Sequence, residues 1–230
     1  MSRYKPELFR YLREYFDGMS SLGIKPILVL DTSSIIQLEQ AFRRKQGYAR
    51  AFQFIDHLTA TAPEQDAFIV VPAGVKDEVT QHHLYHSVNR RPEISKETVD
   101  RLILSPTQLQ SVSSYLQTEQ GASRTDTFRY ELRGHYLENM TGKKASADPI
   151  SLTDWEVIDT ALASTAYSAS HFRQNSAVGS PHPLWGCYRV AVLTGDKHIS
   201  WTLGEAFNIP RGTSLADYVR PINTRGFIVE

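Results

Sequence analysis

Three short, unbroken apolar runs constrain this chain more than any other feature. They are ILVL at 27–30, the FIVV of AFIVVP at 67–72, and the VAVL that leads into Thr194. Each stops at turn chemistry: Asp31, Pro72, and Gly195 with Asp196. Runs this short suit strands better than helices, and continuous apolar character suits strands covered on both faces. The stretches between them repeat with helical spacing. Strands alternating with helices predict an α/β architecture around a parallel central sheet flanked by helices.

Leu8, Leu12 and Tyr15/Phe16 place an amphipathic helix over 4–17, and the small residues from Gly18 to Gly23 break it. Residues 1–23 therefore read as an N-terminal helix and linker, and 24–230 as the main domain. After Asp31, Thr32-Ser33-Ser34 supply helix-cap chemistry, and 35–60 reads as one or two helices. AGVKDEVTQHHLYH reads as a helix carrying Glu78. Further helices are expected near 95–104, 106–120 and 124–141, the second and third opened by Ser105-Pro106 and by Ser123 with Asp126. These make a helical insertion over about residues 87–149. A helix at 151–169 and a Gly/Pro/Ser-rich loop at 171–187 precede the third strand. The loop, with Trp185 as an anchor, is a candidate surface for a partner or a second copy.

Composition narrows the classes. Lys and Arg number 25 against 25 for Asp and Glu, so any nucleic-acid contact needs a local basic patch rather than bulk charge. The single cysteine, Cys187, excludes an intrachain disulfide framework and a cysteine-rich zinc site, and it suits a reducing compartment. No apolar run approaches the roughly 20 residues of a membrane helix, and the charged N-terminus is unlike a signal peptide. The expectation is a soluble, cytoplasmic protein.

In parallel sheets the ligand site lies beyond the carboxyl ends of the strands, so the positions of the acids are informative. Asp31 follows the first strand and Asp196 the third; Glu78 lies in the second turn of the helix after the second strand. Asp154 opens a helix that must also start at that edge. Each has a plain structural reading as well. Asp31 could cap the next helix, Ser151-x-x-Asp154 fits a capping box, Glu78 could be solvated, and Asp196 could form a turn. Gathered at one edge, four like charges repel by about 1 kcal/mol per close pair even in water, and a hard cation such as Mg²⁺ or Mn²⁺ would neutralise them through oxygen ligands.

LDTSS, the Glu of VPAGVKDEV, ISLTDWEVIDTALA and LTGDKH together resemble the four motifs of the PIN-domain nuclease superfamily, which includes VapC-type toxins and RNA-processing endonucleases. The resemblance implies a Rossmann-like PIN domain and a Mg²⁺- or Mn²⁺-dependent endoribonuclease. It makes Asp31, Glu78, Asp154 and Asp196 the catalytic, metal-binding acids, with Ser33 and Thr194 as the small hydroxyl positions beside the first and last. Asp159 competes for the third place; the two stand about 140° apart round a helix. Asp154, at the helix start, is favoured, leaving Asp159 in a supporting place. The resemblance also admits a single-strand DNA nuclease, a non-catalytic RNA- or protein-binding module, an antitoxin-type partner and a homodimer.

Arg124, Arg129, Arg133, Lys143 and Lys144 of the insertion are candidate RNA contacts, joined by Lys197 and His198 at the rim. His82 and His86 share a helical face but lack a third convergent ligand for zinc. Phe128, Leu132, Tyr136 and Met140, spaced by four, read as a packing stripe rather than a base-stacking platform. Neither the second acid of a DxDxT motif nor a GxxxxGK[ST] loop is present.

Overall fold

The computed structural model describes residues 3–4, 14–19, 21, 24–37, 39, 68–89, 94–141, 150–177, 188–196, 198–199, 202–203, 219–223 and 228–229. Strands β1 (Arg3–Tyr4), β2 (Lys25–Leu30) and β3 (Phe68–Val70) are followed by five helices. These are α1 (Ala73–Asn89), α2 (Lys96–Leu104), α3 (Gln110–Leu116), α4 (Glu119–Thr141) and α5 (Leu152–Ala177). Strands β4 (Tyr188–Thr194), β5 (Val219–Asn223) and β6 (Ile228–Val229) complete the order.

Four strands form one sheet in the order β3-β2-β4-β5, every neighbouring pair parallel. The chain steps from β2 to β3 on one side and then returns past β2 to β4 on the other. That reversal makes the cleft between β2 and β4 a topological switch point, where open α/β sheets bind ligands. The β2–β4 register runs from Lys25↔Tyr188 to Leu30↔Leu193. Asp31 N–H extends the ladder by donating to Leu193 O at 3.1 Å. Ile27–Leu30 and Val190–Leu193 are fully buried, which accounts for the continuous apolar runs.

Helix α5 is mostly buried between residues 155 and 170, with Val157, Ile158, Ala161, Leu162 and Ala166 packed inside. Three of its buried hydroxyls are satisfied within the helix. Thr160, Ser164 and Thr165 donate to the carbonyls of Glu156, Thr160 and Ala161, each at 2.8 Å. The insertion is not a separate unit: Ile94, Val99, Leu102 and Leu132 join the core that holds β2, β4 and α5. Two polar ties reinforce that packing. Tyr115 Oη lies 2.7 Å from Ser170 Oγ, and Arg129 Nε meets Asp159 Oδ1 at 3.0 Å.

Several boundaries differ from the sequence expectations. Tyr4 belongs to a strand rather than to the start of a helix, since Arg3 and Tyr4 pair antiparallel with Val229 and Ile228. Of the expected helix over 4–17, the described part begins at residue 14 and runs helical to 19, and its Tyr15 and Phe16 enter the main core. Helix α3 starts at Gln110, and α4 at Glu119 instead of near Ser123. Thr118 is the residue that caps α4, its Oγ1 accepting from Gly121 N–H at 3.0 Å. Helix α5 continues through Ala177, so the first residues of the expected loop are helical. Trp185 and Cys187 lie outside the described residues. Strand β5 is absent from the sequence expectations because Pro221 interrupts VRPIN; among the described residues β5 is an edge strand, where one side needs no ladder donors and proline is tolerated.

Candidate active site

Asp31 stands just past β2 and is 2% exposed. Its carboxylate is gripped from two distant parts of the chain. Ser33 Oγ donates to Oδ2, and Thr194 Oγ1 donates to the same oxygen at 2.8 Å. The backbone closes round them: Gly195 N–H donates to Ser33 Oγ at 2.9 Å and Asp196 N–H to Thr194 Oγ1 at 2.8 Å. Ser33 and Thr194, the two hydroxyls singled out in the sequence, thus meet on one carboxylate and lock the ends of β2 and β4 together. The helix of residues 32–37 begins through the Asp31 backbone, whose carbonyl accepts from Ile35 N–H at 3.2 Å and Ser34 Oγ at 2.7 Å.

The other acids come from separate devices. Ser151 and Asp154 form the reciprocal capping box, with Ser151 N–H donating to Asp154 Oδ2 and Asp154 N–H to Ser151 Oγ, both at 3.1 Å. Asp196 accepts from His198 N–H through Oδ1, the bond of a turn former. Glu78 is half-buried on α1. The plain readings of Asp154 and Asp196 hold, and their charges still act together.

Burial, above all, pushes the Asp31 carboxyl up to about 6; the Ser33 and Thr194 hydroxyls oppose the shift, and the charges of Asp154 and Asp196 add to it. Asp154 is also raised, first by burial, against its Ser151 hydrogen bonds, with the charges of Asp196 and Glu78 adding. Asp31, Glu78, Asp154 and Asp196 therefore share one anionic edge at the switch point. They do not meet at one point: among the described residues no three His, Cys, Asp or Glu side chains converge closely enough to hold an ion as placed. The reason is local. Asp31, Asp154 and Asp196 each have one oxygen drawn into a hydrogen bond of its own turn or cap. The chemistry of the set, four carboxylates and two hydroxyls, still fits a hard divalent cation and no soft one.

The remaining candidates divide. Asp159 is ion-paired with Arg129, whose Nη1 also meets Asp126 Oδ1 at 3.0 Å, so this guanidinium is engaged within the protein. Arg124 lies 5.9 Å over the Phe128 ring, with Nη1 3.4 Å from Ser170 Oγ. His198 is half-buried beside Asp196. Lys143, Lys144, Lys197 and the side chains of Arg133 and His86 lie outside the described residues. Leu132 is buried and Phe128 packs against the core, as a packing stripe requires.

Two residues escaped the sequence reading. Gln37 lies four after Ser33, and an added Cβ at Gly195 would come 2.3 Å from its Nε2. Glu156 accepts from Ala73 N–H at 3.0 Å and Gly74 N–H at 2.9 Å. Neither belongs to a motif; the available signal was Gly74 and Gly195, small residues at points of close approach.

Comparison with protein-family models, with curated proteins and with solved structures finds no match to this chain.

Proposed function

We propose that this chain is a divalent-metal-dependent endoribonuclease of PIN type, hydrolysing RNA phosphodiester bonds at the carboxyl edge of its parallel sheet. One observation carries the reading. Four acids from four separated parts of the chain lie within reach of one another's charge at the carboxyl edge of the sheet: Asp154 and Asp196 act on Asp31, and Asp196 and Glu78 act on Asp154. Such an arrangement costs folding free energy, and a binding surface for RNA alone would gain nothing from it. Asp31, Glu78, Asp154 and Asp196 would hold Mg²⁺ or Mn²⁺. When bound, the ion offsets the phosphate charge and eases proton loss from water. Ser33 and Thr194 keep the Asp31 carboxylate oriented, and Gly195 brings the β4 turn against it. No side-chain nucleophile is required.

The test is cleavage of matched RNA and single-stranded DNA oligonucleotides with Mn²⁺ and with EDTA, using the wild type and Asp196→Asn. RNA cleavage that needs Mn²⁺ and fails in the variant is expected. Cleavage confined to DNA would replace the substrate, and RNA binding with no cleavage under any divalent ion would make the chain a binding module.

A further inference from the structure

We infer that Glu156 is a positioning residue that sets the separation between Glu78 and Asp154, the two acids carried on helices. The inference rests on the four-acid reading above. Glu156 lies two residues after Asp154 on α5, and its two carboxylate oxygens accept separately from Ala73 N–H and Gly74 N–H. Those are the first two amides of α1, which have no partner inside that helix and carry its positive dipole end. A two-oxygen grip fixes both the distance and the rotation of α1 relative to α5.

The rotation is what matters for Glu78. Gly74 and Glu78 are four apart and so share a face of α1, one turn above the other. Clamping Gly74 to α5 turns Glu78 toward the helix that bears Asp154. The close approach depends on glycine. An added Cβ at Gly74 would come 2.5 Å from Glu156 Oε2 and 3.3 Å from Thr153 Cγ2 and Oγ1. Asp154 and Glu156 thus divide the work of one helix start. The first contributes charge to the site, and the second holds the neighbouring helix in place.

The experiment measures Mn²⁺ affinity directly, by electron paramagnetic resonance of free Mn²⁺ during titration of the full-length protein, with metal-free melting curves alongside. The proteins are wild type, Glu156→Ala, Glu156→Gln, Gly74→Ala and Tyr115→Phe. Loss of a supporting hydrogen bond behind a ligand set weakens metal binding about ten-fold or more. Glu156→Ala should show that loss, with Glu156→Gln, which keeps one acceptor, between it and the wild type. Gly74→Ala should weaken Mn²⁺ while leaving the protein folded, because the added Cβ displaces the far end of a flexible side chain and alanine favours a helix. Tyr115→Phe removes a tie on another part of α5 and should leave affinity unchanged. If Glu156→Ala fails to fold, Glu156→Gln and Gly74→Ala carry the comparison. Variants that bind Mn²⁺ as tightly as the wild type overturn the positioning role alone. A wild type that takes up no Mn²⁺ overturns the four-acid reading and this inference with it.

Discussion

Replacing Asp31 by Asn should stabilise the metal-free protein, and the gain should depend on pH in a defined way. Burial and the nearby acids raise this carboxyl from 3.8 to about 6. The folded state then binds its proton more tightly than the unfolded state does. Between about pH 4 and pH 6 the folded chain holds more protons, so stability falls as pH rises through that window and levels off above it. At ~1.4 kcal/mol for each pH unit of that window, the loss reaches about 3 kcal/mol at neutral pH. Asn cannot ionise. Its Oδ1 can still accept from Ser33 and Thr194, and its amide can donate toward the acids that repel Asp31. The variant should match the wild type near pH 4 and exceed it by up to about 3 kcal/mol at pH 7.5, or roughly 6–12 °C in melting temperature for a chain of this size. Urea unfolding in EDTA from pH 4 to 8 reads the difference. Parallel curves, or an advantage that grows as pH falls, would refute the argument. If the acids hold a cation as proposed, added Mn²⁺ should invert the ranking, since it would bind the ionised wild type and displace the proton.

Three further outcomes follow from other parts of the fold. Mn²⁺ should raise the melting temperature of the wild type and raise that of Asp196→Asn clearly less; equal shifts would remove Asp196 from the cation site and leave it a turn residue. Gly121→Ala should cost about 1–3 kcal/mol in chemical denaturation, the range for an overpacked site. Its Cβ would stand 2.0 Å from the Tyr115 backbone oxygen, which no side-chain rotation relieves. Arg129→Gln should cost no more than about 1 kcal/mol, because its ion pair is partly solvated. It should also leave the salt dependence of RNA binding unchanged, as Nε and Nη1 already serve Asp159 and Asp126; a shallower slope would make it a phosphate contact.

The central strands and the acids at their ends are legible in the sequence because both signals are local. A strand buried on two faces reads as an apolar run, and the residue that ends it is the next one along. The capping box at Ser151 and Asp154 is legible for the same reason: spacing alone defines it. Strand β5 is hidden by Pro221, whose cost depends on lying at an edge, and edge position is a property of the whole sheet. The N-terminal pairing of Tyr4 with Ile228 is hidden because strands that short have no period. The start of α4 is ambiguous in sequence because Thr118, Ser123 and Asp126 all carry cap chemistry, and the close approach of Gly121 to α3 decides among them. Arg129 reads as available for phosphate because its partner Asp159 lies thirty residues away in sequence.

The same division between local and distant signals explains how a repulsive edge can exist in a stable fold. Each acid is held by a device that would work without the others: two hydroxyls for Asp31, a cap for Asp154, a turn for Asp196, a helix face for Glu78. None of these devices draws the carboxylates together, and the hydrogen bonds that fix one oxygen of three acids keep them from collapsing onto one another. What brings the acids to a common edge is the parallel register of β2 with β4 and the docking of α1 on α5, both paid for by buried apolar surface elsewhere. The cost of this edge falls mainly on the burial of Asp31, and repulsion between the acids adds to it. On the proposed reading, binding a cation would require side-chain movements against these local hydrogen bonds rather than a change in the sheet. Affinity for the ion should accordingly respond more to the protonation of Asp31 and to the docking of α1 than to the strength of the core.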